Sequence, residues 1–155
     1  MSFENRESLL AFACPEKLCF SWYCTSILGE KMKEKIETEK APKAPMLSQA
    51  IVSNGFIFVS GQVHVTPEGV LVNGSIEEKV HQIMKNIGAI LDAGGMGFDD
   101  IVKATIYITD MAMGKKINEV YITYFKEPFP AREMVCVKEL PLWADIEISV
   151  IAHAK

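Results

Sequence analysis

The chain has 155 residues, of which 49% are hydrophobic and 23% charged, and its net charge is −4. That length suits one domain with a sizeable buried core. The acidic balance speaks against a protein that grips phosphates with clustered Lys and Arg, so nucleic acid is not an expected partner. No apolar run approaches the roughly 18 residues a membrane span needs, so no membrane partner is expected either.

Residues 1–31 carry no clear period, with short apolar patches at 9–13 and 18–23. They read as a variable N-terminal extension, loosely packed or poorly ordered, ahead of a domain spanning 32–155. Glu4 and Glu7 do not suit an acid-poor, Arg-rich mitochondrial presequence, and the basic-then-apolar order of a secretory signal is missing. A cytoplasmic location is expected. The cysteines Cys14, Cys19, Cys24 and Cys136 form no C-x-x-C, and His64, His81 and His153 are scattered, so neither zinc nor disulfides are expected.

Residues 50–60 read as a β-hairpin, because Asn54-Gly55 sits between β-forming runs and both residues tolerate positive φ. Thr66-Pro67-Glu68-Gly69 is a second turn, with a short strand expected at 70–72. Ser75 and Glu78 form a capping-box pair that opens a helix. Its apolar face is Ile76, Val80, Ile83, Met84, Ile87, Ile90 and Leu91, and Gly94-Gly95 ends it. In residues 102–109, Val102, Ala104, Ile106 and Ile108 alternate with polar residues, which predicts a half-buried strand. A second helix is expected over 112–126, facing inward with Ile117, Val120, Tyr121, Tyr124 and Phe125 and stopped by Pro128 and Pro130. Strands at 133–137 and 145–153 follow. The order is β-β-(β)-α-β-α-β-β. A mixed sheet with both helices on one face buries every stripe, which gives a two-layer α+β domain.

Three groups carry possible chemistry. Arg132 follows two prolines and presents a planar, forked cation suited to a carboxylate, although a surface pairing with Glu133 or Glu139 would also account for it. Glu147 lies opposite the Ile146 and Ile148 face. It is either a solvated edge residue or, if buried in a cleft, a general base with a raised pKa. Ser60-Gly61-Gln62 closes a strand without any nucleophile elbow, and reads as a turn or as the lining of a small polar site. Cys136 reads as a core residue.

From residue 32 onward the chain resembles the RidA (YjgF) family. The resemblance rests on Ser48-Gln49-Ala50, Phe58-Val59-Ser60-Gly61-Gln62, Asp100-Ile101-Val102-Lys103-Ala104-Thr105, Phe129-Pro130-Ala131-Arg132, Leu140-Pro141 and Ile146-Glu147-Ile148. It implies a chorismate-mutase-like (YjgF-like) fold and a homotrimer with clefts between subunits. It also implies hydrolysis of enamines and imines such as 2-aminoacrylate to 2-keto acids and ammonia, the activity of a 2-iminobutanoate/2-iminopropanoate deaminase. The substrate would be a small 2-imino acid, and no metal or organic cofactor is implied. By the same resemblance Arg132 grips the carboxylate, Glu147 positions water, and Ser60 and Gly61 line the cleft. Leu47 and Met134 occupy cleft positions where the family usually has Tyr and often Cys, and Ser149 replaces an acidic residue common in the last strand. Other activities associated with the family are binding of a small carboxylate without catalysis, a chaperone-like role, and ribonuclease or translation inhibition.

Overall fold

A computed structural model describes residues 33–153, so the expected extension at 1–31 lies outside the described residues. In chain order the elements are β1 (Glu34–Ile36), β2 (Ala50–Ser53), β3 (Phe56–Val63), α1 (Ile76–Ala93), β4 (Ile101–Ile108), α2 (Gly114–Tyr121), β5 (Ala131–Cys136) and β6 (Ile146–His153). Among the described residues the strands form a six-stranded sheet in the order β1-β2-β3-β6-β4-β5. Every neighbouring pair is antiparallel except β4 and β5, which run parallel because α2 carries the chain back between them. The fold is the expected two-layer α+β arrangement with a mixed sheet.

Local chemistry explains most elements. The β2–β3 hairpin turns at Asn54 (φ 50°) and Gly55 (φ 78°), the positive pair a two-residue turn with matching twist requires. The Ser75 side chain accepts from the Glu78 amide while the Glu78 carboxylate accepts from the Ser75 amide, so two orphan donors at the start of α1 are satisfied together. Gly95 (φ 73°) closes the same helix, its amide donating to the Asp92 carbonyl at 3.0 Å.

One core holds the two layers together. Val80, Ile83, Met84, Ile87, Ile90 and Leu91 of α1 and Ile117, Val120 and Tyr121 of α2 pack with one face of the sheet. That face is built by Ile57, Val59, Ala104, Ile106, Ile108, Ile146, Ile148, Val150 and Ala152. Each fully buried Ile contributes about 1.5–3 kcal/mol of transfer free energy. The other face carries Phe58, Lys103, Thr105, Tyr107, Glu147 and Ser149 and has no layer over it among the described residues; Phe58 is 45% exposed.

The structure corrects five expectations. Val102, expected on the buried face of its strand, is exposed and Ile101 is buried instead, because the register with β6 shifts between Ile101 and Lys103. The third strand at the start is β1, which precedes the hairpin and pairs with β2; its charged neighbours mask it in the sequence. Residues 70–72 form no strand and contribute a single bridge, Leu71 to Val65. The helix expected over 112–126 is α-helical only from Gly114 to Tyr121, between 3-10 turns at Met111–Met113 and Ile122–Tyr124, because Asp110 caps the chain early by accepting from the Ala112 amide. Cys136 is exposed and not in the core, since it is the last residue of β5, the edge strand of the sheet.

Candidate functional site

The site residues fall into two groups on opposite faces of the sheet. Glu147 alternates with buried Ile146 and Ile148 and pairs with Tyr107, which places it on the open face. Arg132 pairs with buried Ala104 and Met134 with buried Ile106, which places both on the helix face at the β5 edge.

The open-face group is organised by a bulge in β3. The register with β6 shifts between Val59 and Gln62, so Ser60 and Gly61 leave the regular ladder. The Ser60 amide donates to the Gln49 carbonyl at 3.0 Å and its hydroxyl to the Ser48 carbonyl at 2.7 Å, tying the bulge to the loop that contains Leu47. The hydroxyl proton is therefore spent on the backbone, and Ser60 offers incoming groups its lone pairs. Leu47 itself is half-exposed. Gly61 makes room for a carboxylate, since a Cβ at this position would stand 1.8 Å from Glu147 Oε1. Burial disfavours the charged form of Glu147 and raises its pKa above the ordinary glutamate value.

The helix-face group surrounds a cation. Arg132 Nη1 donates to Asn118 Oδ1 at 2.7 Å, and the guanidinium carbon lies 5.2 Å from the centre of the Tyr121 ring. Asn118 and Tyr121, three apart on α2, share a helix face. These two with Ile122, Phe129, Pro130 and Arg132 line a cleft of about 390 Å³. Met134 is partly buried nearby, its sulfur 3.3 Å from where a Cβ on Gly114 would stand. Neither Glu133 nor Glu139 takes the guanidinium, because these pair with Lys103 and Lys138.

Among the described residues neither Arg132 nor Glu147 is ion-paired. None of the described contacts joins the two groups within one chain. Asn118 was not legible as a partner of Arg132, and Tyr121 reads from the sequence only as part of an apolar stripe. Their i, i+3 spacing beside the Arg132 strand was the available signal. No group of three or more His, Cys, Asp or Glu among the described residues is placed to hold a metal ion. Among the same residues, no helix is long and apolar enough to cross a membrane.

A family model described as Endoribonuclease L-PSP matches residues 38–154. A RutC family protein of Aquifex aeolicus is 51% identical over 120 residues, covering 73% of this chain and 95% of the relative. A human protein named 2-iminobutanoate/2-iminopropanoate deaminase is 40% identical over 127 residues, covering 81% of this chain and 93% of the relative. Among solved structures, E. coli TdcF with bound serine superposes with a TM-score of 0.74 at 34% identity, covering 79% of this chain and 99% of that one.

Proposed function

The chain belongs to the RidA (YjgF) family, whose model is described as Endoribonuclease L-PSP, and on that premise we propose that it hydrolyses small 2-imino acids, with their enamine tautomers, to 2-keto acids and ammonia. One observation carries the reading: a guanidinium and a half-buried carboxylate, both without ion-pair partners among the described residues, stand on opposite faces of one sheet. A half-buried carboxylate without a partner is costly to keep charged, and a ligand or a neighbouring copy relieves the cost, while the exposed guanidinium is open to an incoming anion. The name of the human relative supports the substrate class. The bound serine of TdcF, a small carboxylate, is in keeping with it.

Opposite faces require a second copy. In the reading we propose, three copies assemble with their open sheet faces inward, and each cleft takes Arg132 from one copy and Glu147 from another. The apolar Phe58 on the uncovered face supports burial there. Arg132 forms a bidentate pair with the substrate carboxylate and fixes the pose. Ser60 and Gly61 line the same cleft, with Leu47 and Met134 at its sides.

The chemistry balances without a redox partner. An enamine first takes a proton at its terminal carbon to give the imine. Glu147 accepts a proton from a water molecule whose oxygen adds to the imine carbon, and the nitrogen is protonated. The resulting carbinolamine collapses, the C–N bond breaks, and ammonia leaves as the carbonyl forms. The raised pKa makes Glu147 a stronger base than an ordinary glutamate, which suits it to accept a proton from water. A ribonuclease reading draws on the family description, but a net charge of −4 gives it no basic footprint.

The test is release of keto acid and ammonia from 2-aminoacrylate generated in situ by a pyridoxal-phosphate lyase. Wild type is expected to exceed buffer. Arg132→Ala is expected to abolish turnover, and Glu147→Gln to keep carboxylate binding while stopping turnover. Equal release from wild type, both variants and buffer rejects the proposal. A monomer mass by light scattering at micromolar concentration rejects the shared cleft.

A further inference from the structure

We propose that Tyr121 is a positioning residue that acts through Arg132, with the face of its ring, not its hydroxyl, holding the guanidinium in the pose that receives an anion. This rests on the reading of Arg132 as the carboxylate grip. The guanidinium carbon lies 5.2 Å from the ring centre, within reach of a cation–π contact. Asn118 Oδ1 takes one N–H of the same group at 2.7 Å. The ring and the amide together leave the rest of the fork free for a ligand. Both supports come from α2, a rigid element anchored in the core through Ile117 and Val120.

The hydroxyl plays no part in this. Tyr121 is 5% exposed, and among the described residues its buried oxygen has no hydrogen-bond partner. Burial pushes the phenol up to about 12, against a smaller opposing effect of the Arg132 charge, so the hydroxyl stays neutral. A buried donor without an acceptor destabilises the fold. The ring, by contrast, packs on Phe125 with centroids 4.6 Å apart and meets the cation on its face.

The experiment compares wild type, Tyr121→Phe, Tyr121→Leu and Arg132→Ala. It measures deamination kinetics together with binding of 2-oxobutanoate, the probe carboxylate, by calorimetry. Tyr121→Leu is expected to raise KM and the probe Kd roughly 3- to 30-fold with little change in kcat, the range a cation–π contact supports. Tyr121→Phe is expected to restore both constants and to unfold no earlier than wild type. Where Leu prevents folding, pentafluorophenylalanine at 121 keeps the ring volume while reversing its quadrupole, and the same rise in KM is expected. Equal KM and Kd in the Phe and Leu chains overturn the proposal, as does a Leu chain that loses only kcat. If Arg132→Ala itself leaves the probe Kd unchanged, the failure lies with the anion grip and not with its support.

Discussion

Replacing Gly61 with alanine isolates the carboxylate from the rest of the fold. A Cβ there would stand 1.8 Å from Glu147 Oε1 and 2.7 Å from its carboxyl carbon, far inside contact distance. The Glu147 side chain must therefore retreat by at least about 1 Å, and misplacing a catalytic group by that much costs on the order of 100-fold in rate. That is about 2.7 kcal/mol of transition-state stabilisation. Stability should hardly move. Gly61 has no positive φ, so its backbone accepts alanine and gains about 0.4–1 kcal/mol from a stiffer unfolded chain. A Glu147 forced off its rotamer loses about 0.5–1.5 kcal/mol. The assay is keto-acid release from 2-aminoacrylate beside a thermal melt. The expected result is a kcat about 100-fold down with Tm within a few degrees of wild type. An alanine chain with kcat within threefold of wild type would refute the contact between Gly61 and the working carboxylate.

Three further outcomes follow from the structure. Since burial raises the pKa of Glu147 and the base must be unprotonated, kcat/KM should fall as pH drops through a midpoint above the ordinary glutamate range; a pH–rate profile that stays flat down to pH 4.5 contradicts this. His64 is buried and neutral, its Nδ1–H donating to the Val72 carbonyl at 2.9 Å and its Nε2 accepting the Asp145 amide at 3.1 Å, and burial lowers its pKa, reinforced by the Lys79 charge and opposed by the Val72 carbonyl and Asp145. A folded pKa below the unfolded value of about 6.5 contributes stability that is present above that pH and lost below it. Urea midpoints should therefore drop between pH 7.5 and 5.5 in wild type, and drop less in His64→Gln. Ile106→Ala empties a fully buried position between sheet and helices and should lower unfolding free energy by about 2–5 kcal/mol, read by chemical denaturation.

Much of the architecture was legible because local and long-range signals agree. Asn54-Gly55, the Ser75–Glu78 box and the alternation along β4 and β6 each name an element that the packing then uses. β1 was not legible, because three residues flanked by charges make a strand only when β2 is there to pair with. Cys136 misled because alternation shows which face a residue takes, while burial depends also on whether its strand lies at the edge of the sheet. Within the site, the side Glu147 takes could be read from Ile146 and Ile148. Its contact with Gly61 could not, since a bulge leaves little trace in sequence. The support of Arg132 by Asn118 and Tyr121 is tertiary, joining residues fourteen and eleven positions away through the turn into β5.

Setting the cation on one side of the sheet and the carboxylate on the other has a consequence for inheritance. In the assembly proposed above, a polypeptide missing either group is inert when it meets only copies of itself. Two different defective polypeptides, combined at random in equal amounts, would rebuild competent boundaries at about one in four positions. Loss-of-function alleles at 132 and 147 should thus complement each other in one cell, whereas two alleles at the same position should not.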